Sequence, residues 1–154
     1  MTEKQLLFVN LGGVITFGLF LLLSLLIQNA ASTQHVMILL SEIIGGLTFA
    51  AAIISIVYMK TRKRWFPVSV LSFLSIWFVY MIGYEIGIDS SSSHSWIWFL
   101  IFYITAGVSI YFLKKSYQIM EGNFKLFPAF FMFFNSMLIV YMIFLTIWWN
   151  LPFL

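Results

Sequence analysis

The sequence predicts an all-α fold: a polytopic integral membrane protein whose five transmembrane helices pack as one antiparallel bundle over residues 1–154. Three observations predict it. Of 154 residues, 62% are hydrophobic and only 8% are charged, against about 25% charged in a soluble domain. A small soluble domain leaves much of its surface in water, so this composition suits lipid better than water as the solvent. The apolar residues fall into five long runs, and the basic residues all fall before the first run or in the connections after the second and fourth.

The runs cover roughly Leu6–Ile27, Val36–Met59, Trp65–Ile88, Trp96–Leu113 and Leu126–Trp149. Each approaches the length that a helix rising about 1.5 Å per residue needs to cross about 30 Å of hydrocarbon. The fourth is the shortest. None alternates with period two, so barrel strands are excluded. The first run resembles a signal peptide in position only. Lys4 is its one basic residue, Asn29-Ala30-Ala31 is a poor cleavage site, and the apolar stretch is long, so a retained helix is expected.

The connections are too short for a soluble domain. Residues 28–35 are polar and uncharged, 60–64 strongly basic, 89–95 serine-rich with one aspartate, and 114–125 mixed with a basic excess. Neighbouring helices are therefore expected to run antiparallel.

Lys4, Lys60, Arg62, Lys63, Arg64, Lys114, Lys115 and Lys125 all lie on one side of this threading. The positive-inside rule puts that side in the cytoplasm, with the N-terminus inside and the C-terminus outside. Trp96, Trp98, Trp148 and Trp149 then fall at the outer interface, and Tyr58, Trp65, Tyr111 and Tyr117 at the inner one, as an aromatic belt would. Trp77, in mid-helix, is expected to pack. Abundant Ile, Phe, Lys and Met without cysteine fits a bacterial plasma membrane. The absence of cysteine excludes disulfides and thiolate chemistry. The net charge of +3 rests on few residues and is no nucleic-acid signature.

Inside lipid, close backbone approach and polar contacts select partners more than apolar burial does. The second helix carries Ser41, Gly45, Thr48, Ala52 and Ser55 on one face, and the third carries Gly83 and Gly87 with Ser69 and Ser72. A tight pairing of helices two and three is the simplest expectation, with a homodimer face as the alternative. Asn135, deep in the fifth helix, is expected to act as interhelical glue. Arg64-Trp65-Phe66-Pro67 and Lys125-Leu126-Phe127-Pro128 begin helices three and five alike. This is read as convergent helix-start chemistry, proline being harmless in the first turn. The alternative is a duplicated hairpin, helices two and three repeated as four and five.

Two carboxylates, Glu42 and Glu85, lie within apolar runs toward the outer leaflet, Glu42 roughly 9 Å from its helix end. His35 is seven residues before Glu42, Asp89 four after Glu85, and His94 shares the loop of Asp89. Acids within a membrane span are functional candidates. With no basic residue predicted nearby, Glu42 holds its proton, shares one with Glu85, or binds a cation. The bland readings are that Glu85 snorkels to the headgroups and that His35, Asp89 and His94 are solvated. No spacing supports a metal or phosphate site, and no cofactor is expected.

Three functions follow. The first is a non-enzymatic binding, accessory or protective partner of another membrane component, acting through its helical surface. The second is a small oligomeric transporter or channel using Glu42 and Glu85. The third is a membrane enzyme acting on a lipid or quinone. Expected partners are the lipid bilayer and either another membrane protein or a second copy. The orientation is testable, since the chain has no cysteine of its own. In intact cells an impermeant thiol reagent should label Ser92→Cys and spare Lys63→Cys, and the reverse pattern would invert the topology.

Overall fold

The computed structural model describes residues 2–27, 31–93 and 95–150, with the backbone alone for Leu25 and Ala31. The described residues form five long helices and no strand: α1 (Glu3–Leu26), α2 (Ala31–Tyr58), α3 (Trp65–Glu85), α4 (Ser95–Ile119) and α5 (Leu126–Asn150). All five are long and apolar enough to cross a membrane. Single 3-10 turns, Arg62–Arg64 and Gly122–Lys125, lead into α3 and α5. The chain divides into two compact units, Met1–Leu71 and Ser72–Leu154, with α3 beginning in one and ending in the other.

Local chemistry sets the helix ends. Thr2 accepts from the Gln5 N–H, and the Gln5 side chain accepts from the Thr2 N–H at 2.9 Å, a reciprocal cap on α1. Pro67 and Pro128 each occupy the third position of their helix, where no intrahelical N–H bond is lost. α3 stops at Glu85 rather than Ile88 because Gly87 adopts φ +74°. Its N–H bonds the Tyr84 carbonyl, and that of Ile88 bonds the Gly83 carbonyl, both at 3.0 Å. This is a left-handed glycine cap. Gly87 therefore ends the helix; nothing lies within 4 Å of where its Cβ would be, so it makes no packing face.

α4 runs six residues past Leu113, through Lys114 and Lys115. The apolar run ends at the lysines, but the helix does not, because Ser116 and Met120 are buried beyond them. Lys115 Nζ lies 5.9 Å from the Tyr111 ring centroid. A lysine stem can cover apolar surface while its head reaches water.

In the first unit α1 packs on α2. The small-residue face of α2, expected to meet helix three, meets α1 at Thr48 and Ser55. A Cβ at Gly13 would overlap the Thr48 side chain, so the α1 backbone lies directly against α2 there. Glu3 ties the same pair at one end: Oε2 accepts from the Thr61 hydroxyl at 2.6 Å and Oε1 from the Lys60 N–H at 3.2 Å.

In the second unit the C-terminal part of α3 packs with α4 and α5 around Ile76, Phe102, Ala106, Leu138 and Met142. Trp98, expected in an interfacial belt, is buried instead. Its indole fills the gap at Gly83, and its Nε1–H donates to the Val79 carbonyl at 2.8 Å. A tryptophan beside a glycine on the neighbouring helix finds both space and an acceptor.

Gly83→Ala should therefore lower thermal stability in detergent by about 1–3 kcal/mol, the usual cost of overpacking. Gly46→Ala, where nothing lies within 4 Å, should be neutral or slightly stabilising through helix propensity. Equal effects at the two sites would refute the Trp98 contact.

Candidate functional site

The helices bury two amides. Asn10 on α1 is fully buried, and its Nδ2 donates to Ser55 Oγ at 2.7 Å and to the Leu6 carbonyl at 2.8 Å. Ser55 in turn donates to the Ala51 carbonyl at 2.7 Å. Since that hydroxyl proton is committed, Asn10 must be the donor, and the amide orientation follows. Its Oδ1 finds no hydrogen-bond donor among the described residues.

Asn135 on α5 repeats the arrangement in the second unit. It is fully buried, and its Nδ2 donates to Ser109 Oγ at 3.2 Å. Ser109 spends its proton on the Ser72 carbonyl of α3 at 2.5 Å. One residue from each of α3, α4 and α5 thus meets at a single buried hydroxyl. Oδ1 of Asn135 likewise has no donor among the described residues. Farther along, Tyr103 and Thr146 join α4 to α5 at 2.8 Å; Thr146 donates to the Met142 carbonyl, so the phenol is the donor.

At the Gly83 end of the second unit the aromatic rings gather. Trp98 lies 6.1 Å from Trp149 and 6.4 Å from Tyr80, and Phe99 lies 5.4 Å from Trp149. Tyr80 meets Tyr141 edge-on at 6.0 Å. Offset and edge contacts of this kind suit ring quadrupoles. The cluster fixes how α3, α4 and α5 meet.

The described ionisable residues singled out in the sequence are divided between the two units. Glu42 lies in the first unit, within the apolar run of α2; it is half-buried, and its Oε1 is shielded. His35 is exposed on the first turns of α2. Glu85, in the second unit, is the exposed last residue of α3. Asp89 is exposed and organises its own loop. Its Oδ1 accepts from the Ser91 hydroxyl at 2.7 Å, the Ser91 N–H at 2.9 Å and the Ser92 hydroxyl at 3.0 Å. These bonds, the Ser91 hydroxyl foremost, hold its carboxyl below the ordinary aspartate value of 3.8. His94 lies outside the described residues. Among the described residues no three His, Asp or Glu side chains gather as metal ligands would.

Of the residues expected to pack, Ser41, Gly45, Thr48, Ala52, Gly83 and Asn135 are buried. Asn10 is the residue that sequence reasoning missed. Its signal was present, an amide in an apolar run, the same signal that marked Asn135.

No family model matches the chain, and neither a curated protein nor a solved structure does. The class that the fold defines is an all-helical protein with five helices apolar enough to span a membrane.

A double-mutant cycle of Asn10→Leu and Ser55→Ala, read by unfolding in detergent, should give a coupling of about 0.6–1.7 kcal/mol, as interhelical hydrogen bonds in membrane proteins do. Additive effects would deny the bond.

Proposed function

We propose that this chain is a multi-pass membrane protein that acts without catalysis, as an embedded binding, accessory or protective partner of another membrane component. The supporting observation is how its polar groups are used. Asn10 joins α1 to α2, and Ser109, Asn135 and the Tyr103–Thr146 pair join α3 to α4 and α4 to α5, while the Ser24, Ser41, Thr48 and Ser69 hydroxyls bond carbonyls of their own helices. What the helices offer their surroundings is apolar flank, with Leu47, Val57, Phe130 and Phe144 among the most exposed side chains. The connections add little mass. A partner that reads this chain therefore reads helix surface. The one-sided basic residues support a plasma-membrane location with the N-terminus in the cytoplasm and the C-terminus outside.

One observation favours a second reading, a small oligomeric transporter or channel. Glu42 is a carboxylate among apolar side chains of α2, with one oxygen shielded. Acids so placed commonly serve proton or cation transfer.

Copurification in mild detergent separates the two. One stoichiometric membrane partner, held equally by wild type and Glu42→Gln, is the expected result. Recovery of the chain alone, with proton or cation flux in liposomes that Glu42→Gln abolishes while the protein still folds, would replace the first reading by the second.

A further inference from the structure

The likeness between the starts of α3 and α5 belongs to a longer match. At a constant offset of 61 residues, positions 36–88 pair with 97–149 without a gap, and 14 of the 53 pairs are identical. They include Phe66-Pro67 with Phe127-Pro128, Ser55 with Ser116, and Met59 with Met120. The run Val79-Tyr80-Met81-Ile82 pairs with Val140-Tyr141-Met142-Ile143. Sliding the register by one residue leaves three identities in one direction (Leu40–Leu100, Ile44–Ile104, Phe73–Phe133). It leaves two in the other (Gly45–Gly107, Lys63–Lys125). Shared composition would serve all three registers alike, so composition is not the source of the match.

Burial follows the same offset. Ser41, Gly45, Thr48, Ala52, Ser55 and Met59 are buried, and so are their equivalents Phe102, Ala106, Ser109, Leu113, Ser116 and Met120. Contacts follow it too. Thr48 and Ser109 are equivalent, and each is met by the backbone of the preceding helix, at Gly13 and at the Ser72 carbonyl. Tyr80 and Tyr141 are equivalent, and their rings touch. Both copies begin their second helix from a 3-10 turn with proline at the third position.

We infer that α2–α3 and α4–α5 are tandem copies of one helical hairpin, and that the exposed face of α5, in the last copy, is rebuilt to contact lipid acyl chains. The comparison of α3 with α5 carries the second half. On α3, Ser69, Ser72, Ile76 and Gly83 are buried; Ser72 offers its carbonyl to Ser109, and Gly83 admits Trp98. Their equivalents on α5 are Phe130, Phe133, Met137 and Phe144, exposed by 58, 59, 57 and 64%. Where α3 has Ser72 accepting from Ser109 and Gly83 admitting Trp98, α5 has the exposed phenylalanines Phe133 and Phe144. Close helix contact in membranes relies on small residues, and the last unit of a repeat array must match its solvent instead of a neighbour. In hydrocarbon that solvent is acyl chain, for which phenylalanine is suited.

The inference rests on the spanning reading of the helices. Single nitroxide labels test it in liposomes of phosphatidylcholine and phosphatidylglycerol, at Phe133→Cys, Phe144→Cys and Ser72→Cys. The labels at 133 and 144 should collide with oxygen several-fold more often than the label at 72, and only weakly with a water-soluble nickel chelate. Low oxygen collision at 133 and 144, or disulfide crosslinks between copies through either, would place protein on this face and overturn the inference. Strong nickel collision there would place the face in water and overturn the spanning reading with it. An unlabelled pair guards against misfolding: Ser72→Phe should lower the melting temperature and Phe133→Ser should not. Equal losses would mean that the two copies are packed alike, against the inference. A failed copurification would bear only on the proposed partner.

Discussion

A helix in hydrocarbon gains little by setting one leucine against another, because the solvent offers the same contact. Its partner is decided where two backbones can come close and where a polar side chain finds its complement. Most specific contacts in this chain are of those two kinds. Gly13 brings α1 against Thr48, and Asn10 reaches Ser55. Gly83 takes the Trp98 indole, and Ser109 gathers Ser72 and Asn135. The large apolar residues fill what these contacts leave, and many face outward.

The same constraint explains what could be read from the sequence. Five apolar runs were legible because length and composition are linear properties of a chain. Helix ends were less legible where the deciding feature was local. Gly87 stops α3 by its left-handed φ, and Lys114 and Lys115 hid the last turns of α4 because a charged pair ends an apolar run without ending a helix. Partner choice was least legible. The small face of α2 announced that something would come close, but only the placement of Gly13 and Asn10 three residues apart on α1 says what. Trp98 could be placed at an interface by type alone; its burial depends on a glycine on another helix.

The candidate site divides in the same way. Asp89 was legible as a loop residue because aspartate followed by serines is turn chemistry, and its carboxylate is occupied by those serines. Glu42 was legible as unusual, since a carboxylate in an apolar run is costly whatever surrounds it. What it faces is a property of three dimensions, and no spacing along one helix encodes it.

The bond from Asn10 to Ser55 crosses 45 residues of chain. On the spanning reading, α1 can enter the bilayer before α2 brings the acceptor there. Until then one amide donor has only the Leu6 carbonyl of its own helix, and the polar end of Asn10 sits in hydrocarbon. α1 is thus a helix that can insert alone but cannot rest alone. The arrival of Ser55 also selects a register. A slide of one turn along α2 would offer Asn10 either Ala51 or Met59, neither with a hydroxyl, and would pull Glu3 away from Thr61. The first two helices are therefore indexed against each other at the end where α1 begins and α2 finishes.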